Sequence, residues 1–448
     1  MLIRYFSVLF LFASSMVPIL KSGELPKASP ESVGMSSDRL ARIDGVMQRY
    51  IDKGDISGGV TLVARHGQVV QHEAYGLADS ENNTPMQKDT LFRFFSMTKQ
   101  VTAVAVLMLL EDGEINLSDP VSRYIPEFAN PQVLVPCGDD VADCEGDYKL
   151  EPAHREISIQ HLMSHTSGIT YVFNSRPFIT DLYKQGGVHD ALKQSEGTIG
   201  DMVKKLAALP LYGHPGEIHE YGLSYDVLGF LVEVVSGQNL GDFCQERIFD
   251  PLGMVDTHFW VPEEKLGRLA AAYSLDAEGN RFLMPDGENN WLDFSYSPDF
   301  QYNGPKTFYS GGAGMVSTAA DYAKFLIMQA NNGQYNGKVY LGRKTIDLMR
   351  HDHVGDLPGD IFLPGYGFGL GPAIHRDRVA SNRLASIGEW RWAGLFHTWY
   401  QVDHDEGLVS IVLTQLWPDY ASDMEARFNT AVSASIVASP GRPVRFKR

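Results

Sequence analysis

Apolar residues recur at helical spacing early in the chain and then give way to strand-like alternation. Between Ser36 or Ser37 as the N-cap and Gly54 beyond the end, one helical face carries Leu40, Ile43, Met47, Tyr50 and Ile51. Residues 58–76, GGVTLVARHGQVVQHEAYG, predict two strands joined at Arg65, His66 and Gly67. The pattern therefore predicts a helix followed by a β-hairpin.

The most apolar stretch of the chain opens on polar residues. Residues 92–114 are FRFFSMTKQVTAVAVLMLLEDGE, and from Val101 to Leu110 the apolar side chains surround the predicted helix on every side. Such a helix is buried all round. We expect it to begin at Ser96 and to end at Gly113, a residue type common just past a helix end. A serine and a lysine at the start of a buried helix need a chemical reason.

The C-terminal part predicts further strands and helices. GGAGMVSTAADYAKFLIMQANNG, residues 311–333, predicts a glycine-rich turn and an amphipathic helix, and TWYQVDHDEGLVSIVLTQL, residues 398–416, predicts a hairpin. DMEARFNTAVSASIVA, residues 423–438, predicts a final helix. Residues from about 115 to 305 show short helical patterns between loops rich in Pro, Gly and Asp.

These elements together predict an α+β fold. An antiparallel sheet is built from both chain ends and flanked by helices, from about 36–114 and 306–438, with a mostly helical lobe inserted at about 115–305. Ligand clefts favour the boundary between two such parts.

Composition and charge narrow the possible functions. The 448 residues are 44% hydrophobic and 21% charged, and the net charge is -17. So acidic a chain argues against nucleic acid and anionic membrane surfaces as partners. Residues 1–22 have one Arg and then an apolar run, which predicts a signal peptide or an N-terminal anchor. We therefore expect an exported protein, periplasmic or secreted, which is either released after cleavage of this segment or anchored to the membrane by it.

Cysteines and histidines offer two further kinds of site. Cys137 and Cys144 flank an acidic loop and form either a disulfide or two free thiols, while Cys244 is the third cysteine. His161 and His165 have zinc-ligand spacing, but Leu162 stands where the zincin pattern needs Glu. His351 and His353 form a second pair. We predict no metal and no cofactor.

Ser96 and Lys99 can form a nucleophile and its base. Residues at i and i+3 share a helix face, so the hydroxyl and the amine can meet. Burial disfavours the charged form of an amine, and a neutral lysine can take the proton of the serine hydroxyl. Ser-x-x-Lys alone is also compatible with an N-cap and a surface lysine. The buried helix that follows favours the catalytic interpretation.

Six blocks, in order along the chain, resemble the serine β-lactamase-related superfamily, and most of all its class C-like carboxylesterases, known as family VIII esterases. The blocks are FRFFSMTKQVTAVAVLMLLEDGEINLSDPVSRYIPEF, IQHLMSHTSGITY, GEIHEYGLSYDVLGFLVEVVSG, GGAGMVSTAADYAKF, GYGFGLG and GEWRWAGLFHTWYQVD. The resemblance implies a β-lactamase/transpeptidase-like fold over residues 36–438. It also implies that Ser96 is the acylated nucleophile, Lys99 its general base and Tyr221 a proton relay. A core tyrosine with a satisfied hydroxyl is the alternative for Tyr221.

The third element of the family is implied at Trp392-Ala393-Gly394. β-Lactamases have Lys-Thr-Gly there and most of the esterases Trp-Gly-Gly, so Trp392 and Gly394 would line the substrate site. The N–H groups of Leu395 and Ser96 would form the oxyanion hole. His397 would be a substrate contact, a spare acid or base, or a structural residue. Leu223 stands where penicillin-recognising relatives have Asn, and Ala393 replaces a Gly.

The sequence thus predicts a serine hydrolase (EC 3.1.1.-) that forms an acyl-enzyme on Ser96 and acts on short-chain esters, with a small-molecule ester or amide as its partner. A class C-like β-lactamase, a D-alanyl-D-alanine carboxypeptidase, an acyltransferase of the same fold and a non-catalytic binding member stay open as alternatives. The α/β-hydrolase class needs Gly-x-Ser-x-Gly, and GLSYD at residues 222–226 lacks the closing Gly. The sequence does not indicate an oligomeric state.

Overall fold

The computed structural model describes residues 24–138, 146–193, 195–291, 294–359, 363–418 and 423–439. The predicted signal peptide or anchor at residues 1–22 lies outside them. So does Cys144; Cys137 is disulfide-bonded and Cys244 is free and buried. Within the described ranges no helix has both the length and the apolar character needed to cross a membrane.

The helices are between 3 and 14 residues long. In chain order they are α1 Ser37–Leu40, α2 Arg42–Asp52, α3 Thr98–Glu111, α4 Ile159–Met163, α5 Ile179–Gln185, α6 Ile199–Ala207, α7 Ser224–Ser236, α8 Leu240–Cys244, α9 Asp250–Leu252, α10 Ala319–Ala330, α11 Arg343–Met349, α12 Arg378–Ser381 and α13 Met424–Ala434. Single turns of 3₁₀-helix add Pro30–Val33, Phe95–Met97, Val121–Arg123, Pro126–Phe128, Val172–Asn174 and Glu263–Arg268, and a π-helical turn spans Gln245–Phe249.

The strands fall into one large sheet and several small ones. In chain order they are β1 Gly58–Arg65, β2 Gln68–Asp79, β3 Thr84–Pro85, β4 Phe92–Arg93, β5 Gln132–Pro136, β6 Tyr148–Pro152, β7 Tyr273–Leu275, β8 Arg281–Leu283, β9 Asn289–Trp291, β10 Phe294–Tyr296, β11 Val316–Ser317, β12 Gln334–Tyr335, β13 Lys338–Val339, β14 Tyr366–Phe368, β15 Ala373–His375, β16 Trp390–Gly394, β17 Thr398–Asp403, β18 Leu408–Leu413 and β19 Leu416–Trp417.

The large sheet has the strand order β14-β15-β16-β17-β18-β1-β2-β3, and neighbouring strands are antiparallel. Its two halves come from the two chain ends and meet where β1 pairs with β18, with Val60 opposite Leu413. The predicted antiparallel sheet made from both ends is therefore confirmed, as are the hairpins β1–β2 and β17–β18.

The centre of the sheet is buried on both faces. Side chains alternate between the faces of a strand. Val60 and Leu62 of β1 belong to the main core, which includes α3 and α10, whereas Val63 joins the cluster of α2 and α13 on the other face. Because helices cover both faces, all eight residues of β1 are buried.

The structure differs from the predicted elements in four places. The first predicted helix is split at Ala41 into α1 and α2. Regular α3 begins at Thr98, because Ser96 lies in the preceding 3₁₀ turn. The α10 helix was predicted to be amphipathic, which is wrong: all residues from Asp321 to Gln329 are buried, with Lys324 paired to Asp321 at 2.9 Å. Between 115 and 305, short strand pairs accompany α4–α9. The division into two parts stays a prediction.

Candidate active site

A strained turn presents Ser96 at the start of α3. The Phe94 amide donates to the Met315 carbonyl at 2.9 Å, which ties the turn to the chain ahead of β11. Phe95 has φ +45°, a left-handed conformation that costs a non-glycine residue free energy. The buried Phe95 ring stacks on Phe396 at 4.7 Å between centroids. Packing on both sides of Ser96 therefore holds a backbone shape that the chain would not adopt alone.

Ser96, Lys99 and Tyr221 meet at one point. Lys99 Nζ lies 3.0 Å from Ser96 Oγ, and the Tyr221 hydroxyl lies 2.7 Å from the same oxygen. The Lys99 amine also donates to the Gly312 carbonyl at 2.9 Å and lies 4.8 Å from the centre of the Tyr221 ring. Lys99 is fully buried. The structure therefore brings the three predicted catalytic side chains together at the Ser96 hydroxyl oxygen.

The backbone around Tyr221 is held by a second set of residues. The Asn174 side chain donates to the Tyr221 carbonyl at 2.8 Å, and the Gly222 amide donates to His165 Nδ1 at 3.3 Å. Burial holds the pKa of His165 well below its usual value, so this ring is neutral and its Nδ1 can accept. A Cβ on Gly222 would come within 2.1 Å of the Ile169 carbonyl, so only glycine fits there.

Glu220, next to Tyr221, binds three side chains of the segment that runs from Thr170 to Arg176. This buried carboxylate accepts hydrogen bonds from Thr170 at 2.5 Å and Asn174 at 3.0 Å, and it pairs with Arg176 through two bonds of 3.0 and 2.8 Å. Such paired, charge-assisted bonds are strong and fix geometry. The sequence gives no sign of this pairing, because Glu220 and Arg176 are 44 positions apart in the chain.

The end of β16 lies directly against the nucleophile turn. A Cβ on Gly394 would come within 2.2 Å of the Phe94 carbonyl and 2.3 Å of Thr398 Oγ1. Glycine is therefore required for this close approach. The contact sets Leu395 and Ser96 on the same cavity, as two oxyanion donors require. Their role as oxyanion donors stays a prediction.

A cavity of about 410 Å³ opens on Ser96. Its lining is aromatic and aliphatic around the catalytic hydroxyls and consists of Phe95, Ser96, Tyr171, Phe173, Leu192, Tyr221, Ala313, Leu363, Trp392, Ala393, Gly394, Leu395, Trp399 and Trp417. Among these described lining residues none carries a charge. Trp392, Gly394 and Leu395, which were predicted to line the substrate site, therefore lie in the cavity wall. Because the described lining is uncharged, the cavity suits an uncharged ligand.

His397 lies outside this lining. It is buried in the turn between β16 and β17, with φ +59°, and burial lowers its pKa to about 4. Its carbonyl accepts a hydrogen bond from Thr414 at 3.0 Å. Its burial and this hydrogen bond favour a structural role for His397. Its role as a substrate contact stays a prediction, and His397 is not one of the residues that line the cavity.

The histidine pairs weighed as metal ligands have other partners. His161 Nδ1 accepts from the Ser158 amide at 3.2 Å as part of the cap of α4, and His353 lies 3.1 Å from the Gln160 side chain. Within the part of the chain that the structure describes, one group of ligand-type side chains is close enough to consider, namely Glu151, His154 and His214. The two imidazole rings stack face to face at 3.6 Å between centroids, and each has a carboxylate partner, Glu217 for His154 at 3.1 Å and Glu151 for His214 at 3.2 Å.

Comparison with known proteins assigns the family. A family model described as Beta-lactamase matches residues 43–434. The chain belongs to the Beta-lactamase family. Its fold and the resemblance of its six sequence blocks to the serine β-lactamase-related superfamily are thereby confirmed.

Three proteins are similar to this chain over most of their length. Esterase EstB of Burkholderia gladioli is 33% identical over 383 residues, which are 84% of this chain and 90% of that protein. Protein Rv1367c of Mycobacterium tuberculosis is 34% identical over 389 residues, or 85% and 91% of the two chains. The solved structure of EstCE1, a hydrolase with promiscuous acyltransferase activity, has a TM-score of 0.74 at 29% identity and covers 90% of this chain and 99% of its own. Family, fold and esterase relative together support a serine hydrolase.

Proposed function

We propose that this member of the Beta-lactamase family is a family VIII-like carboxylesterase that hydrolyses short-chain, uncharged esters through an acyl-enzyme on Ser96. The observation that carries the proposal is the position of Trp392. It lines the cavity on Ser96 at the place where the β-lactamase pattern has a lysine, and the remaining described lining is uncharged. A carboxylate on the substrate would find no cation in this lining.

The first half of the reaction forms the acyl-enzyme. Neutral Lys99 takes the proton of the Ser96 hydroxyl while Ser96 Oγ bonds to the ester carbonyl carbon. The carbonyl oxygen becomes an oxyanion, which the N–H groups of Ser96 and Leu395 would stabilise. Tyr221 then gives its proton to the departing alkoxide as the ester C–O bond breaks, and the proton held by Lys99 restores the phenol.

The second half returns the enzyme to its starting state. Water enters where the alcohol has left, gives one proton to the base and bonds to the acyl carbon. The tetrahedral intermediate collapses, the bond to Ser96 Oγ breaks, and the proton returns to Ser96 as the acid departs. If an alcohol takes the place of water, the same steps yield acyl transfer. The similarity to EstCE1, a hydrolase with promiscuous acyltransferase activity, favours acyl transfer as the second candidate function.

Because the described lining carries no cation, we expect the cavity to disfavour substrates that are recognised through a carboxylate. A hydrogen bond to a charged group contributes roughly 1.5–3 kcal/mol, which corresponds to about ten- to a hundredfold in binding. A substrate that depends on recognition of its carboxylate, such as a β-lactam or a D-alanyl-D-alanine peptide, forgoes this gain here. We therefore expect weak or absent β-lactam turnover.

Parallel assays of one preparation test the proposal. A p-nitrophenyl butyrate-type ester should be hydrolysed with a higher kcat/KM than a chromogenic cephalosporin, and Ser96→Ala should abolish both activities. Activity should survive a chelator, since no metal is predicted to take part. Faster turnover of the cephalosporin would overturn the esterase assignment. Failure of a serine-directed phosphonate to label the wild-type chain would favour a non-catalytic binding member.

The cellular setting also belongs to the proposal. The apolar segment at residues 1–22 supports export to the periplasm or the medium. The net charge of -17 argues against a nucleic-acid partner, and the cavity on Ser96 supports a small-molecule substrate. Sequencing the N-terminus of the protein recovered from its native host would test export, because a cleaved signal peptide would be missing.

A further inference from the structure

A glycine-rich segment, Ser310–Ala313, lies between α3, which carries Lys99, and α7, which follows the turn of Tyr221. On the α3 side, Thr102 donates to the Gly311 carbonyl at 2.7 Å and Lys99 donates to the Gly312 carbonyl at 2.9 Å. On the α7 side, a Cβ on Gly311 would come within 2.3 Å of the Tyr225 carbonyl. The two glycines therefore let this segment touch α7 while it holds α3.

Asp226 of α7 fixes the same segment from the other side. Its Oδ1 accepts hydrogen bonds from the Ser310 hydroxyl at 2.7 Å and from the Gly312 amide at 3.2 Å. A Cβ on Gly312 would come within 2.6 Å of Asp226 Oδ2, so backbone and carboxyl are in direct contact. Asp226 is fully buried and does not line the cavity. It therefore holds the peptide of Gly312 without reaching a substrate.

The hydrogen bond to the Gly312 carbonyl orients the amine of Lys99. A neutral amine has two N–H donors and one lone pair. Because one N–H is taken by the Gly312 carbonyl, the lone pair of Lys99 can face Ser96 Oγ at 3.0 Å, as a general base requires. If Gly312 moved, the amine would lose the partner that aims it.

We propose that Asp226 is a positioning residue for Lys99, which it aims at Ser96 by holding the peptide of Gly312. This inference rests on the proposed role of Ser96 as a nucleophile. Nothing in the Ser-x-x-Lys spacing indicates it, since Asp226 and Gly312 come from distant parts of the chain.

Burial raises the pKa of Asp226, while the hydrogen bond from Ser310 and the nearby Lys99 act against that rise. Among the described residues, Oδ2 has no hydrogen-bond partner. The contacts of Oδ1 with Ser310 and Gly312 are therefore the ones by which this carboxyl holds the segment.

Labelling by a fluorescent serine-directed phosphonate tests the inference without a substrate. The binding constant KI and the inactivation rate constant kinact are measured for the wild-type chain and for Asp226→Ala, Asp226→Asn and Ser310→Ala. Glu233→Gln is the matched control, because Glu233 is a half-buried carboxylate of the same helix that accepts a hydrogen bond from the Leu240 amide at 3.1 Å and has no contact with Gly312. Circular dichroism and Tm report the fold of each variant.

The expected result distinguishes a positioning role of Asp226 from an effect of its charge and from a loss of folding. Asp226→Ala should lower kinact about a hundredfold with KI unchanged, because a small misplacement of a catalytic group costs about this much. Asp226→Asn keeps the oxygen that holds Ser310 and Gly312 and should stay within about threefold of wild type, as should Glu233→Gln. If Asp226→Ala fails to fold, Ser310→Ala carries the test, with an expected loss of roughly tenfold in kinact.

Two results would overturn the inference. One is wild-type kinact in folded Asp226→Ala, or in Ser310→Ala when Asp226→Ala does not fold. The other is a folded Asp226→Asn that loses as much kinact as Asp226→Ala, which would assign the effect to charge. Neither result touches the esterase proposal. Conversely, if the wild-type chain is labelled but turns over no ester, the esterase proposal fails and the role of Asp226 stands.

Discussion

The Tyr221 hydroxyl lies 2.7 Å from Ser96 Oγ, although the two residues are 125 positions apart in the chain. The Tyr221 hydroxyl therefore donates to the Ser96 oxygen from a distant part of the sequence. The contact is made between the turn before α3 and the turn before α7, and it gives Tyr221 a direct route for proton transfer to a leaving alcohol.

Tyr221→Phe should therefore keep the fold and lose most of the rate, on the order of a hundredfold or more in kcat/KM. The measurement is ester hydrolysis at several pH values, with circular dichroism to follow the fold. Tyr171→Phe is the control, since the Tyr171 ring lies 5.4 Å from Lys99 Nζ and no hydrogen bond from its hydroxyl to Ser96 is described. The control should lose less than about tenfold. Wild-type rates in Tyr221→Phe would refute the proton relay.

Ser96 and Lys99 should act as one unit. Ser96→Ala and Lys99→Ala should each lower kcat by on the order of a thousandfold or more, and the double variant should lose little beyond either single change. The reason is that the hydroxyl is useless without its base and the base has no other proton to take. Single-turnover kinetics of all three variants measure this. Losses that multiply in the double variant would show two independent functions.

Gly394→Ala should damage both stability and activity. Its Cβ would come within 2.2 Å of the Phe94 carbonyl, which leads into the turn of Ser96. Overpacking of this kind costs about 1–3 kcal/mol, and the shift would displace the nucleophile. Thermal unfolding and phosphonate labelling measure the two effects. Ala393→Gly, one residue earlier in the cavity wall, should leave Tm nearly unchanged, and an unchanged Gly394→Ala would contradict the close contact.

Glu425 should make the protein sensitive to acid. The carboxylate pairs with Arg383 through two bonds of 2.9 Å and also with the buried Arg391 of β16, and the two arginines lower its pKa from 4.5 to about 2 in spite of burial. A carboxylate with a lowered folded-state pKa stabilises the fold fully above pH 4.5. That stabilisation is lost as the pH falls toward 2.

Glu425→Gln should accordingly lower the free energy of unfolding by about 3 kcal/mol at neutral pH, because it leaves a buried arginine without its partner. The difference from wild type should shrink between pH 4.5 and 2. Denaturant unfolding across this range measures it. Glu73→Gln, which breaks the half-exposed pair with Lys88 at 2.9 Å, should change stability by less than about 1 kcal/mol at any pH. A pH-independent loss in Glu425→Gln would rule out the ion pair as the cause.

Local patterns predicted the parts of the molecule that depend on neighbours in the chain. Alternation predicted β1–β2 and β17–β18, and the i, i+3 spacing predicted the contact of Ser96 with Lys99, since both need only a few consecutive residues. Tyr221 was predicted through the resemblance, because no spacing connects it with Ser96.

Contacts between distant segments escaped prediction. The burial of α10 depends on the distant segments that pack around it, so the pattern of the helix alone did not place Asp321 and Lys324 inside the core. The bond of Asp226 to Gly312 joins α7 to a loop 86 positions later. Hydrogen bonds of this kind leave no periodic trace, so the structure is needed to find them.

Three of the six tryptophans of the chain, Trp392, Trp399 and Trp417, line the cavity on Ser96. Indole emission responds to the polarity of its surroundings, and these three rings exchange water for ligand when the cavity fills. The enzyme therefore carries its own optical reporter of occupancy. In Ser96→Ala, which we expect to bind esters without turnover, a titration followed by fluorescence would rank candidate esters by affinity with no chromogenic leaving group attached.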